Sequence, residues 1–230
     1  MKTSNLLLAI IALVTLTSMV ATNVLLKQQY QRIDWRDPYQ DFEKRALPPV
    51  KHWVVEGTSV REILVEKSTG SSQALLEPEY AKFYRIRQQG DTAFVAFTPD
   101  YSGYQNQPSD EANYELRVGL VLRLADIQTI RAKMARLTLT DLSAEKLQIN
   151  LQNSRLRTQK LAITGPLYLQ ESQGSFATIG TYRLASLQAV VQDSSGVQLN
   201  NTDLANFNLQ AAPNAKVYLR GQALKWVKTN

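Results

Sequence analysis

The C-terminal half of the chain contains a 20-residue repeat, and this repeat restricts the possible folds more than any other feature. When residues 127–226 are written in rows of 20, the rows begin with the large apolar residues Ile127, Leu147, Leu167, Leu187 and Phe207. Three further columns agree in the last three rows, namely Ala177/Val197/Val217, Ile179/Leu199/Leu219 and Leu184/Leu204/Leu224. In the second row, Leu156, Leu161 and Ile163 lie one position earlier than the equivalent apolar residues of the other rows. A fixed period of roughly 20–50 residues is typical of stacked structural repeats.

Within each row, short stretches alternate between apolar and polar side chains, as in residues 147–151 and 217–219. This period of two is typical of strands with one buried face. Turn-forming residues such as Gly174, Asp193 and Pro213 separate the stretches. The pattern predicts an all-β fold with a C-terminal β-solenoid of about 20 residues per rung, in which the Ile179/Leu199/Leu219 column is buried. A β-sandwich with evenly spaced strands is the alternative.

The chain divides into four predicted segments. They are an N-terminal transmembrane anchor (1–27), a juxtamembrane spacer (28–49), an N-terminal β-strand region (50–126) and the β-solenoid repeats (127–230), which continue from that region. Strand-like runs occupy residues 52–56, 63–66, 83–87, 93–97 and 114–124. Residues 89–91, with Gly90 at their centre, predict a hairpin turn, and residues 98–113 predict a loop.

The apolar run that begins at Leu6 and ends at Leu26 is long enough to cross a bilayer as a helix. A cleaved signal peptide is the competing interpretation, but the candidate cleavage site near Ala21 is preceded by Met19 instead of a small residue. We therefore expect a single-pass membrane anchor. The basic residues around the run do not favour export, yet the all-β composition favours a β-domain outside the cytoplasm, in the periplasm or cell envelope.

Composition excludes several kinds of site. The chain has no cysteine and one histidine, His52, so disulfides, thiol catalysis and cysteine-ligated or histidine-based metal centres are excluded within one chain. We predict no cofactor and no metal. The net charge is +6, and its positive part lies in the repeats, where 12 Lys and Arg face 5 Asp and Glu from residue 127 onward.

An enzymatic alternative is a solenoid-type polysaccharide lyase or glycoside hydrolase. Glycosidases need two carboxyl groups about 5–9.5 Å apart. The acidic residues of the repeats are Asp141, Glu145, Glu171, Asp193 and Asp203, each in a different column of the 20-residue register. Glu171 and Asp193 come closest, two columns and one row apart. This dispersion predicts no catalytic residues.

Basic residues on the strands form a candidate surface for an anionic ligand. They are Arg131, Lys133, Arg155, Arg157, Lys160, Arg183, Lys216 and Arg220. Such charges also solvate a β-surface and protect exposed strand edges, which is the alternative. Aromatic residues do not interleave with them in the way that binding of single-stranded nucleic acid requires, so we expect no binding of nucleic acid.

The order of these segments resembles a known family. The residues that carry the resemblance are Trp53-Val-Val55, Ile63-Leu-Val-Glu66, a hairpin from Tyr84 to Phe94, and the 20-residue steps after it. Across roughly residues 50–226 the chain resembles the head GIN domain family of "putative autotransporter adhesins" of Bacteroidetes-type bacteria. The resemblance implies a β-solenoid in the bacterial envelope and no active site.

Together these features predict a non-enzymatic, membrane-anchored module of the cell envelope with a binding, scaffold or adhesion role. The membrane would be its partner through the segment from Leu6 to Leu26. A long regular β-face suits an extended polymer, and the positive charge of the repeats favours an anionic glycan or lipid head groups.

Overall fold

The computed structural model of the chain describes residues 2–34, 37–58, 60–99 and 117–227. The chain forms two compact units, Met1–Asp41 and Phe42–Asn230.

The first unit consists mainly of one long helix, α1 (Lys2–Arg32). Its segment Ile10–Gln31 has 22 residues and a mean hydropathy of 1.8, so its length and composition suit a membrane anchor or a signal sequence. The hydroxyl groups of Thr15 and Thr22 donate to carbonyl oxygens one turn earlier, at 2.7 and 2.8 Å, which satisfies these polar groups inside an apolar helix. The helix continues beyond the predicted end of the anchor at residue 27.

The second unit is mostly β-structure. Its strands are β1 (Glu43–Ala46), β2 (His52–Gly57), β3 (Glu62–Lys67), β4 (Gln73–Leu76), β5 (Tyr84–Gln89), β6 (Thr92–Phe97), β7 (Val118–Leu124), β8 (Thr129–Lys133), β9 (Arg136–Thr140), β10 (Ser143–Ala144), β11 (Leu147–Gln152), β12 (Arg155–Gln159), β13 (Ala162–Ile163), β14 (Pro166–Ser172), β15 (Phe176–Ile179), β16 (Arg183–Val191), β17 (Gly196–Asn200), β18 (Asp203–Ala211) and β19 (Lys216–Arg220). Two 3₁₀ turns, Pro78–Phe83 and Gly221–Trp226, complete it. Strand β1 lies inside the predicted spacer, and part of the predicted run 114–124 and most of the loop 98–113 fall outside the described residues.

Most of these strands belong to two large mixed sheets. The nine-stranded sheet has the order β1-β4-β7-β3-β9-β12-β15-β17-β19, and the eight-stranded sheet has the order β18-β16-β14-β11-β8-β2-β6-β5. Among the described strands, pairing is parallel throughout the C-terminal half, and antiparallel pairs occur only where β1, β4 and β5 join. Strand β2 pairs with β8 and β3 pairs with β9, so the N-terminal strands extend the same two sheets. The predicted hairpin at residues 89–91 is confirmed, because β5 and β6 pair antiparallel with Gly90 at positive φ.

From β11 onward, the parallel register of the eight-stranded sheet follows the predicted columns. Between β8 and β11 the step is 19 residues, because Gln148 pairs with Thr129, so the predicted column that begins at Ile127 is shifted by one place relative to Leu147. Leu147 pairs with Leu167, which pairs with Leu187, which pairs with Phe207. The nine-stranded sheet departs from this strict step at Leu156, whose partner Leu137 is one place nearer in the sequence and whose partner Ala177 is one place farther away. Two residues separate β11 from β12, whereas three residues including Gly174 separate β14 from β15. This one-residue difference accounts for the early columns in the sequence.

A ladder of buried serines satisfies the backbone at the corners between the sheets. Ser154, Ser175 and Ser195 are almost fully buried. The Ser154 hydroxyl accepts from the Ala135 amide, the Ser175 hydroxyl from the Ser154 amide, and the Ser195 hydroxyl from the Ser175 amide, each at 3.1 Å. A buried amide without an acceptor costs about 1–3 kcal/mol, so the ladder allows these corners to be buried.

The apolar columns form one core between the two sheets, and this core becomes more exposed at its C-terminal end. Ile179 and Leu199 are 0% exposed. Leu219, predicted to be buried with them, is only partly buried, because β19 is an edge strand with no further strand beyond it among the described residues. The turn Gly221–Trp226 covers part of this end, where the Trp226 ring packs edge-on against Phe207 with centroids 6.1 Å apart.

The exposure gradient predicts unequal costs for equal truncations in one column. Leu199→Ala should lower the free energy of unfolding by about 2–5 kcal/mol, because it empties a fully buried site. Leu219→Ala should cost less than half as much, because water already reaches that side chain. Urea denaturation of the full chain in a nonionic detergent measures both values, and equal losses at the two positions would contradict the exposure gradient.

Candidate functional site

The eight basic residues selected from the sequence occupy two sheets and one corner. The nine-stranded sheet carries Arg155, Arg157, Lys216 and Arg220, the eight-stranded sheet carries Arg131, Lys133 and Arg183, and Lys160 occupies the corner after β12. The structure therefore places four of them on one face and the other four elsewhere.

Three of the basic residues outside that face lie beside carboxylates. Lys133 lies 3.5 Å from Glu56, Lys160 lies 3.8 Å from Asp141, and Arg183 lies 3.7 Å from Asp203. These are exposed pairs of the kind that contribute little to stability. Their charge is locally offset, which makes them weaker candidates for attracting an anion.

The outward side chains of four neighbouring strands form a surface that we call the basic–aromatic face. It comprises Arg155, Arg157 and Gln159 of β12, Phe176 and Thr178 of β15, Gly196, Gln198 and Asn200 of β17, and Lys216, Tyr218 and Arg220 of β19. None of these outward positions is a carboxylate. The face therefore combines four cations with two aromatic rings.

An aromatic strip crosses three strands of this face. Phe176 pairs in register with Gly196, and a Cβ atom added to Gly196 would lie 2.9 Å from two atoms of the Phe176 ring. The ring therefore lies against the backbone of β17, and its centroid is 6.1 Å from that of Tyr218 on β19. Two strand spacings make the strip about 10 Å long. Tyr218 is 45% exposed, so solvent reaches the strip.

The cations of the face lie on both sides of the strip. Arg155 pairs in register with Phe176 on one side, and Lys216 pairs with Gly196 on the other. Arg155 Nη1 donates to the Gly174 carbonyl at 2.6 Å, which holds the guanidinium at the corner. Burial, together with the charges of Arg155 and Arg157, lowers the pKa of the neighbouring Arg136, although Glu62 opposes this shift. Arg155 and Arg157 therefore supply positive potential next to the strip, whereas Glu62 partly offsets the charge of Arg136.

Amide side chains form the third part of the face. Gln198 Nε2 donates to Asn200 Oδ1 at 2.7 Å, which fixes the two amides relative to each other. Gln198 is buried, at 9% exposed, whereas Asn200 is half-buried, so the Asn200 amide group is the part of this pair that can donate a further hydrogen bond. Amides in this position suit the hydroxyl groups of a sugar.

The aromatic strip was not found from the sequence. Phe176 lies beside Arg155 although the two residues lie on different rows of the repeat, and the order of the residues in the sequence did not indicate this neighbour. The signal that could have revealed the strip is the outward column that runs through Arg155, Phe176, Gly196 and Lys216. It was hidden because the register between β12 and β15 is one place longer than the repeat.

The acidic pair proposed for the enzymatic alternative does not form a site. Glu171 points inward from β14 and is 0% exposed, whereas Asp193 lies in an exposed corner and accepts from the Gln173 amide at 3.1 Å. The two carboxyl groups therefore do not share a solvent-accessible surface on which they could act on a polysaccharide. Asp141 and Asp203 lie in ion pairs with lysines, and Glu145 is exposed on a separate turn.

The single histidine has polar neighbours that the sequence did not indicate. His52 Nδ1 lies 3.1 Å from Thr129 Oγ1, and its Nε2 lies 3.8 Å from Asp91 Oδ2. Within the ranges that the structure describes, no group of three or more His, Asp or Glu side chains is arranged to hold a metal ion.

Glu171 is an acidic side chain inside an apolar core. Burial raises its pKa to about 8, although the charge of Arg155 and the backbone amide of Ala177 oppose this shift. Neither of its carboxyl oxygens makes a hydrogen bond of normal geometry among the described residues. The group is therefore mostly protonated at neutral pH, and it makes stability depend on pH.

This buried acid predicts that Glu171→Gln stabilises the protein in a pH-dependent way. Below about pH 4 the carboxyl group is protonated in both the folded and the unfolded state, so the substitution has little effect. As the pH rises towards about 8, Glu171 ionises only in the unfolded state. The free energy of unfolding of the parent therefore falls by up to about 4–5 kcal/mol, whereas that of the variant does not. Urea denaturation between these pH values measures the difference.

The matched control for this prediction is Glu145→Gln, which changes an exposed glutamate. This variant should keep the pH dependence of the parent. A Glu171→Gln variant whose stability follows the parent curve over the whole range would show that Glu171 is solvated.

Comparisons with protein-family models and with curated proteins found no match. Among solved structures, the chain is similar to a "putative adhesin" from Bacteroides fragilis at 12% identity and a TM-score of 0.34, over 79% of this chain and 98% of the other. It is also similar to a "putative cell adhesion protein" from Clostridium sporogenes, at 7% identity and a TM-score of 0.30, over 77% and 98%. A third similar structure is a "putative lipid binding protein" from Parabacteroides distasonis, at 6% identity and a TM-score of 0.28, over 76% and 96%. Identities and scores this low do not transfer a function.

Proposed function

We propose that the protein is a non-enzymatic module of the cell envelope, and that it binds an anionic glycan on the basic–aromatic face. The carrying observation is the strip of Phe176 and Tyr218, with four cations around it and no carboxylate among the outward positions of its four strands.

Each part of the face has a role in this proposal. The C–H groups on the flat side of a sugar ring pack against Phe176 and Tyr218, whose ring faces carry negative charge density. Carboxylate, sulfate or phosphate groups of the polymer lie next to Arg155 and Lys216, and a sugar hydroxyl bonds to the Asn200 amide. Because the outward positions recur at the strand spacing of about 4.8 Å, several units of one polymer can bind at once.

The proposal includes the architecture that presents this face. The 20-residue steps of residues 127–230 are the rungs of a β-solenoid, and residues 50–126 continue it in the manner of the head GIN domain family. The steps of the register and the two shared sheets support this arrangement. Helix α1 anchors the chain in a membrane, the part of the predicted spacer 28–49 that precedes β1 acts as the spacer, and the β-unit lies outside the cytoplasm.

Binding of polygalacturonate tests the proposed function. The full chain in phosphatidylcholine nanodiscs should bind this acidic glycan, and affinity should fall as salt rises. Neutral dextran should bind at least about tenfold more weakly, because the charge contribution is lost. Isothermal titration calorimetry measures both.

Two single variants connect the binding to the face. Tyr218→Ala should weaken polygalacturonate binding about five- to tenfold by shortening the strip, and Arg220→Gln should weaken it about threefold and reduce its salt dependence. The control is Arg183→Gln, an exposed arginine of the other sheet, which should bind as the parent does. Unchanged binding by both Tyr218→Ala and Arg220→Gln would refute the proposal, and so would tighter binding of single-stranded polyuridylate, which would assign the face to nucleic acid.

A further inference from the structure

A depression on the outer face of the eight-stranded sheet has an apolar floor and a basic rim. It lies where β2, β6 and β5 run side by side, and its volume is about 390 Å³. The floor includes Val54, Phe94 and Ala96, and the rim includes Glu56, Arg85 and Arg87. This volume falls in the range of roughly 300–1,000 Å³ that small-molecule sites occupy. We call it the Phe94 depression.

The strand register determines how the floor and the rim are arranged. Val54 pairs with Phe94 and Glu56 pairs with Ala96 across the parallel strands, so the apolar floor is two strands wide. On the other side, Arg87 pairs with Phe94 and Arg85 pairs with Ala96 across the hairpin. The Arg87 guanidinium lies 4.3 Å from the centroid of the Phe94 ring. This cation–π contact holds a positive charge over the apolar floor.

The charge around the depression is mostly uncompensated. Arg131 occupies the register position next to Val54 on β8, and Lys133 occupies the position next to Glu56. Glu56 is engaged by Lys133 at 3.5 Å. Within the described ranges, no carboxylate forms an ion pair with the side-chain nitrogens of Arg85, Arg87 or Arg131. Arg85 and Arg87 on the rim, with Arg131 beside it, therefore outnumber Glu56, the one carboxylate among the described lining residues.

We propose that the Phe94 depression binds a free short-chain amphiphile whose apolar chain lies on Val54, Phe94 and Ala96 and whose anionic group binds Arg87 and Arg85. A phosphate or carboxylate can accept two parallel hydrogen bonds from one guanidinium, and the apolar floor gains free energy by covering a hydrocarbon chain. Strand β5 is an edge strand, and arginines on an edge also prevent unwanted pairing. That role needs no apolar floor, whereas binding of an amphiphile requires both parts.

Hexyl phosphate is the probe that tests this site. The full chain in phosphatidylcholine nanodiscs should bind hexyl phosphate at least about tenfold more tightly than either inorganic phosphate or hexanol, because each of these lacks one half of the ligand. Calorimetric titration, with empty nanodiscs subtracted, measures the three affinities. Equal affinity for hexyl phosphate and hexanol would overturn the proposal, and so would equal affinity for hexyl phosphate and inorganic phosphate.

Variants locate the binding and separate it from the glycan site. Arg87→Gln should weaken hexyl phosphate binding about fivefold or more, and Phe94→Ser should weaken it similarly. The control variant Arg183→Gln, on the same sheet, should bind as the parent does. Parent-like binding by both Arg87→Gln and Phe94→Ser would overturn the assignment.

Two further measurements distinguish this site from other sources of binding. Tyr218→Ala should leave hexyl phosphate binding unchanged. The proposal for the Phe94 depression and the glycan proposal can therefore be confirmed or refuted independently of each other. Replacing part of the phosphatidylcholine with phosphatidylglycerol should leave the affinity unchanged at high salt. Competition by this anionic lipid would overturn the assignment to a free amphiphile and would assign the depression to a bilayer lipid.

Discussion

Parallel backbone pairing between strands one repeat apart is the constraint on which the β-unit depends. Each pairing places an apolar side chain against an equivalent one in the next strand, as with Leu147, Leu167 and Leu187. Burial of these columns between the two sheets supplies the main stabilisation, while buried serine hydroxyls, such as that of Ser175, satisfy the amides at the corners. A slip of one residue would turn every apolar side chain of a strand outward, so the register is strongly determined.

The same register creates the outer surfaces. A strict repeat would pair Phe176 with Leu156, which points into the core, whereas the observed register is one place longer and pairs it with Arg155. The extra residue in the corner that contains Gly174, before β15, is thus responsible for bringing a cation next to the aromatic strip. Because Gly196 has no side chain, the Phe176 ring can lie across β17 towards Tyr218. The arrangement of the basic–aromatic face therefore depends on the longer corner before β15, which sets the register, and on Gly196, which leaves room for the Phe176 ring.

Local patterns in the sequence predicted the features that depend on neighbouring residues. The alternating stretches became strands, the turn at Gly90 became a hairpin, and Ile179 and Leu199 became buried. The columns of the repeat were also predicted, but several features that depend on pairing outside the regular repeat were not. The pairing of β2 with β8 joins segments that are far apart in the sequence, and the exposure of Leu219 follows from its edge position. The acidic side chain of Glu171 follows Leu167 and Leu169 in the alternation of β14, which places it on the inward face, and the neighbouring strands β11 and β16 bury it there.

Disulfide formation between Arg157→Cys and Thr178→Cys tests the register of the proposed binding face most directly. The chain contains no cysteine, so an introduced pair reports only on its own separation. Residues 157 and 178 are register partners on neighbouring strands, and their Cα separation of about 5 Å suits a disulfide. The account predicts rapid cross-linking under mild oxidation, as fast as for the pair Gln188→Cys and Asn208→Cys, which follows the regular repeat. Cross-linking at 188 and 208 without cross-linking at 157 and 178 would contradict it.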